Sequence, residues 1–259
     1  EPGKTAQSNS YMWLYRTGGD TDRPIVLFDY QPGRGACYPK AFLKNFRGYL
    51  HTDGYSGYHS LPDEITVVGC WAHARRKFDE AMKSLPKGKA KNSSAAQGLA
   101  YCNLLFKIEE GLTGLPPKER YDQRLEQAKP VLDALLAWAN TRTAAPKSSL
   151  GKALSYLKEQ WPYLLNYLKD GRLELSNNRA ERSIKPFVID RKNFLFANTP
   201  SGAKSSAVIF SLIQTAIENG LDPYRYLTWL LSSAPEMDLA QPDVVRSLLP
   251  WNAPVSCKP

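Results

Sequence analysis

The chain has 259 residues and a mass of 29.0 kDa, enough for one or two domains with buried cores. With 42% apolar and 23% charged residues, it is neither a disordered nor a fibrous chain as a whole. No run of 18 apolar residues occurs, which excludes a membrane-spanning helix, and the net charge of +9 points first to nucleic acid as a partner.

In chain order, the first four residues, Glu1-Pro2-Gly3-Lys4, lack the basic-then-apolar pattern of a signal peptide. Tyr11 to Arg16 (YMWLYR) reads as a strand that stops at Gly18-Gly19. Pro24 to Tyr30 (PIVLFDY) reads as a second, and the polar turn between them suggests a hairpin. A loop, Gln31 to Gly35, precedes helical spacing over Tyr38 to Phe46. Gly48 to Thr52 and Ile65 to Val68 are the third and fourth strands. Strands interleaved with helices indicate an α/β sheet.

From Ala74 to about Asp170, helical periodicity takes over, with breaks at Pro86 to Gly88, Gly111 to Pro117 and Ala145-Pro146. Three to five helices are expected, and their place between strand-rich parts suggests an insertion. The positive charge concentrates here: residues 74–170 carry a net +7, against zero before them and +2 after. Lys83, Lys87, Lys89 and Lys91 form a basic stretch, equally readable as a solvated loop.

After Leu173-Glu174-Leu175 and Ser176-Asn177-Asn178, a helix starts near Arg179, with asparagine a favoured N-cap. Pro186 is expected to end or kink it. Phe194-Leu195-Phe196 is a short apolar piece. Ala203 to Asn219 reads as a helix stopped by Gly220, and Asp222-Pro223 opens another through Leu231. The proline-rich tail, Ala234 to Pro259, reads as loosely structured at best. Four widely separated cysteines, Cys37, Cys70, Cys102 and Cys257, fit reduced thiols in a cytosolic protein.

Three segments could carry chemistry. In His51-Thr52-Asp53-Gly54, an acid just past a strand end sits beside a glycine that lets a ligand approach the backbone. Such a carboxylate can hold a metal, although an aspartate before glycine is also a common turn. In Asn177 to Lys185, Glu181 lies among Arg179, Arg182 and Lys185 on one helix. That is either a solvated face with a Glu181–Lys185 pair, or a metal-binding acid flanked by phosphate contacts. In Cys70-Trp71-Ala72-His73-Ala74-Arg75-Arg76-Lys77, a buried core edge runs into a basic helix start. Cys70 and His73 alone are too few for a zinc site. Arg75, Arg76 and Lys77 could touch a phosphate backbone.

Together these segments resemble the insertion sequence 66 family of bacterial transposases over essentially the whole chain. The pieces that carry the likeness are YMWLYRTGG, GYLHTDGYSGY, VVGCWAHARRKF, LSNNRAERSIKPFVIDRKNFLFANTPSGAKSSA and ENGLDPYRYLTWLL. The resemblance implies an α/β fold with an RNase H-like (retroviral-integrase) core and a large all-helical insertion. Residues 1–73 and 171–219 would form the two parts of that core, 74–170 the basic insertion, and 220–259 a C-terminal helix and tail.

The resemblance further implies a DDE triad binding two Mg²⁺ or Mn²⁺ ions, with Asp53 as the second acid and Glu181 as the third, 128 positions apart. Cys70 and His73 resemble a C-x-x-H signature, and Asn178 and Arg182 flank the glutamate without assigned roles. The first acid normally lies just upstream of wording like YMWLY. No residue here matches it, nor do Asp20, Asp22 or Asp29. On this reading the chain lacks the first core strand and the N-terminal DNA-binding regions, and is inactive as it stands.

Implied partners are DNA, as element ends and target, and a second copy of the chain on DNA. The implied location is the bacterial cytoplasm at the nucleoid. Two other readings stay open: a catalytically dead DNA-binding or assembly module with the same fold, and an RNase H-like nuclease.

Overall fold

A computed structural model describes residues 9–86, 88–194 and 199–259, with the side chains of 191–194 outside the description. Lys87, Leu195 and Phe196, named above, lie outside the described residues. The chain divides into two compact units. A central unit is Pro39–Asn178, and a terminal unit joins the described residues up to Tyr38 with Arg179–Pro259.

In the terminal unit, β1 (Tyr11–Arg16) and β2 (Val26–Gln31) pair antiparallel, with Leu14 opposite Phe28 and Arg16 opposite Val26. Alternation puts Met12, Leu14, Val26 and Phe28 on one face. There they meet Ile184 and Phe187 of α7 (Asn178–Phe194) and Ala207 and Phe210 of α8 (Pro200–Glu218). The Phe28, Phe187 and Phe210 rings lie 5.1 to 5.8 Å apart. The outer edge of β2 receives no further strand among the described residues. It is satisfied by side chains of α8 instead. Ser211 Oγ accepts from Phe28 N at 2.8 Å, and Thr215 Oγ1 accepts from Val26 N at 3.1 Å and donates to Val26 O at 3.0 Å. Asn219 Nδ2 donates to Pro24 O at 2.8 Å. Spacing of four places all three polar side chains on one stripe of the helix.

Two expectations are corrected here. Pro186 does not end α7, which runs on to Phe194. Proline removes one backbone bond, but Ile184 and Phe187 bury against β2 and α8 on either side of it and hold the helix. The tail is not loose either. It forms α10 (Pro242–Ser247) and three 3₁₀ turns. These fold back on α9 (Pro223–Ser233): Cys257 packs with Ala216, Leu221 and Tyr226, and Tyr226 Oη donates to Leu248 O at 2.9 Å. Gly220, at φ 72°, ends α8 as its sequence position suggests.

The helix α1 (Cys37–Phe42) crosses the boundary between the units. The central unit then holds β3 (Gly48–His51) and β4 (Ile65–Val68), a parallel pair with Gly48 opposite Ile65 and His51 opposite Val68. Next come α2 (Trp71–Lys83), α3 (Ser94–Gly111), α4 (Pro117–Gln123), α5 (Lys129–Asn140) and α6 (Ser149–Leu164). The helix breaks fall where the sequence puts them.

A wide π turn, Arg124–Ala128, joins α4 to α5 without a gap, and Lys129 N donates to Arg124 O across it. Pro130 follows at once and lacks the amide that a regular turn would bond back to Glu126, which accounts for the widening. One core runs through the unit: Val68, Trp71, Phe78, Leu105, Leu132, Leu135, Leu157 and Tyr167 are all buried in it. The helical block is therefore fastened to β4 and α2. Trp71 Nε1 donates to Leu164 O at 3.0 Å, Gly69 N to Tyr163 O at 2.9 Å, and Asn166 Nδ2 to Val67 O at 2.7 Å.

Candidate functional site

Asp53 follows the carboxyl end of β3. Thr52, just before it, is buried and still donates its backbone N–H to Val68 O at 2.9 Å, so the strand pair is rigid up to the acid. Gly54, at φ 83°, then turns the chain through a conformation that disfavours any side chain. Asp53 is exposed. Its Oδ1 accepts from Tyr55 N at 3.0 Å, closing an Asx turn, and Oδ2 has no partner among the described residues. The glycine is demanded twice: a Cβ there would stand 2.9 Å from Tyr156 Oη and 3.1 Å from Gln160 Oε1, both on α6.

His51 binds the two strand ends together, its Nε2 lying 2.9 Å from Gly69 O. Burial brings its pKa down to about 4, with Gly69 O and the Glu174 charge pulling weakly the other way. His51 is thus neutral at pH 7 and donates to Gly69 O. The unfolded chain takes up this proton near pH 6.5, whereas the folded chain resists until about pH 4. Stability is therefore whole above pH 6.5 and falls as pH drops toward 4, by about 2 kcal/mol once partial solvent screening is allowed for. Urea midpoints measured between pH 7 and 4.5 are expected to show this decline in wild type and to lose it in His51→Gln.

The segment after β4 is structural. Cys70 caps α2 in extended conformation, is fully buried, and its Sγ accepts from Asn177 N at 3.4 Å. Trp71 N donates to Leu175 O at 3.1 Å, so the strand end and the returning chain are stitched at this point. His73 is half-buried one turn on. Among the described residues, no three His, Cys, Asp or Glu side chains gather as a metal site. Of the basic triplet, Arg75 is exposed and donates to Asn103 Oδ1 at 2.6 Å, and Arg76 is exposed. Lys77 lies 4.9 Å from the ring centre of Tyr156.

Glu181 lies in the first turn of α7, half-buried, in the terminal unit, whereas Asp53 belongs to the central one. Arg179 is half-buried, and Arg182 and Lys185 are exposed. The start of α7 is held by Arg16 of β1. Its Nη1 donates to Ser183 Oγ at 2.6 Å, Arg179 O at 3.4 Å and Glu218 Oε1 at 3.0 Å, and its Nη2 to Glu218 Oε2 at 2.8 Å. That guanidinium holds the Glu218 carboxyl below its ordinary range.

The donor set suits a hard cation. Asp53 offers a carboxylate oxygen at a rigid strand end, and four buried oxygens in the same unit lack a partner: Thr52 Oγ1, Tyr156 Oη, Gln160 Oε1 and Asn177 Oδ1. A carboxylate ligand with neutral oxygens nearby matches Mg²⁺ or Mn²⁺ rather than zinc. Residues missed from sequence are Arg16, Tyr156 and Gln160. Only the i, i+4 spacing of the last two marks them as sharing a helix face.

Comparison with known proteins is consistent along the whole chain. A profile described as "Transposase IS66 family" matches residues 1–205, and one described as "IS66 C-terminal element" matches residues 211–251. Three proteins of Sinorhizobium fredii (strain NBRC 101917 / NGR234) are similar. "Uncharacterized protein y4qI" is 31% identical over 97% of this chain and 48% of its own length. "Uncharacterized protein y4hP" is 30% identical over 93% and 46%, and "Uncharacterized protein y4jD" 30% over 97% and 51%. The chain thus spans about half the length of these relatives. No solved structure matches it. With the two profiles covering the strand pairs, the helical block, α7 and the tail, the chain belongs to the IS66 transposase family.

Proposed function

We propose that the chain is the catalytic part of a DDE-type DNA transposase, with an RNase H-like core, and that Asp53 and Glu181 are two of its metal-binding acids. The observation that carries this reading is Asp53 itself. It is an exposed carboxylate past the end of a parallel strand pair, with one oxygen held by a turn and the other open. Membership in a transposase family supplies the chemistry such a group would serve.

That chemistry is phosphoryl transfer at a DNA phosphodiester. Divalent ions, when bound, activate the attacking hydroxyl and stabilise the leaving 3′-oxygen. Asp53 holds its open oxygen steady because β3, the Asx turn and Gly54 leave it little freedom. Glu181 contributes a second carboxylate from the first turn of α7, whose start Arg16 clamps. Arg75, Arg76, Arg179, Arg182 and Lys185 give the cationic contacts that position a phosphate backbone without reading its sequence, and Lys77 adds its charge beside Tyr156. The positive excess over residues 74–170 supports a salt-dependent hold on duplex DNA.

The test is strand transfer by the longer natural protein on its own element ends, with Mg²⁺ or Mn²⁺. Asp53→Asn and Glu181→Gln are each expected to lower the rate by about 10²-fold or more while DNA binding persists. Variants that cut and join as well as wild type would remove these acids from the chemistry. A wild-type protein that binds ends but joins none would favour an assembly module.

A further inference from the structure

The helical block brings two polar groups to Asp53 that folding alone does not explain. Tyr156 and Gln160 are one turn apart on α6, on the face that carries the buried Ala153, Leu157 and Leu164. Gln160 is only 6% exposed, and both Gln160 Oε1 and Tyr156 Oη are buried without a hydrogen-bond partner. The two oxygens lie within 3.1 Å of one point, the place a Cβ of Gly54 would occupy, directly beside Asp53. The Asp53 charge reaches the phenol: after burial and the Cys70 charge, it contributes to raising the Tyr156 pKa, while Arg76 opposes it. Lys77 Nζ lies over the Tyr156 ring, 4.9 Å from its centre.

An orphaned buried oxygen costs on the order of 1–3 kcal/mol, and methionine or phenylalanine would fill these positions without that cost. Two such oxygens converging on the glycine that follows a carboxylate point to an occupant that donates hydrogen bonds. Water bound to a divalent cation does so: Mg²⁺ and Mn²⁺ keep several waters, whose protons all point outward.

Resting on the assignment of Asp53 as a metal-binding acid, we propose that Tyr156 and Gln160 are positioning residues, which accept hydrogen bonds from a water of the divalent cation that Asp53 holds. The insertion is then part of the metal site as well as a basic surface. Its helix α6 supplies the outer layer of contacts that fixes how the cation is hydrated, and Gly54 has no side chain so that this layer can close over the turn.

The probe is Mn²⁺, titrated calorimetrically into the whole chain, with thermal melting of each variant without metal. Tyr156→Phe, Gln160→Met and the double variant are expected to melt at or above the wild-type temperature, since each removes an unsatisfied oxygen and keeps its bulk. The double variant is expected to bind Mn²⁺ about ten-fold more weakly or worse. Asp53→Asn is expected to bind more weakly still. If the double variant binds like wild type while Asp53→Asn does not, this proposal is overturned and the role of Asp53 stands. If Asp53→Asn also binds like wild type, the role of Asp53 falls and this proposal falls with it.

Discussion

Arg124→Ala is expected to destabilise the central unit by about 3–5 kcal/mol. Arg124 is fully buried in the π turn. Its guanidinium donates to Glu109 Oε2 at 3.0 Å, Tyr167 O at 3.1 Å, Asp170 O at 3.0 Å and Leu173 O at 2.6 Å, and it lies over the Tyr167 ring. Alanine would leave a partly buried carboxylate and the carbonyls at the end of the helical block with nothing to bond. The loss should appear as a lower urea midpoint and as faster amide exchange near residues 165–175. Lysine is expected to recover little, because one ammonium cannot span acceptors spread across a planar fork. Replacing Arg124 and Glu109 together by apolar residues should cost much less than Arg124→Ala, since no charge is then stranded. A double variant as unstable as the single would show that packing, rather than the ion pair, sets the effect.

Arg16→Ala is expected to cost the terminal unit about 2–3 kcal/mol, discounted because Glu218 remains 29% exposed. Arg16 itself is nearly enclosed and joins β1 to both α7 and α8. Its loss releases Ser183 and the carbonyl of Arg179, which bracket Glu181. The consequence should therefore exceed stability: the helix turn that carries the glutamate loses its anchor, and strand transfer should fall even at temperatures where the variant is fully folded. Glu218→Gln is the milder control. The Glu218 pKa is depressed in the folded chain, so its contribution is present above its ordinary pKa near 4.5 and vanishes as pH falls through the lower folded value. Wild type and Glu218→Gln should converge in stability under strong acid and differ at neutral pH.

Much of the local structure is legible in the residues. YMWLYR and ITVV are strands from end to end, and the breaks at Pro86 to Gly88, Gly111 to Pro117 and Ala145-Pro146 separate helices as turn chemistry dictates. Pro186 misleads, because its cost is local while the packing of Ile184 and Phe187 is tertiary and outweighs it. The tail misleads for a related reason: its prolines rule out long helices but allow short turns that bury Cys257. At the site, Asp53 is visible as an acid after a strand and before glycine. Tyr156 and Gln160 are not, since their meaning depends on Gly54, about a hundred positions earlier in the chain. Arg124 is equally hidden among the basic residues of the helical block, because burial, which sets it apart, leaves no local trace.

The row of hydroxyl and amide groups that α8 lays along β2 has a consequence for assembly. A helix cannot continue a ladder, so Ser211, Thr215 and Asn219 seal that rim of the sheet against any newcomer. Among the described residues β1 carries no neighbour but β2, which leaves Tyr11–Arg16 as the one side on which this sheet can widen. Recruitment of another strand is therefore one-directional, and the register it would adopt is dictated by β1.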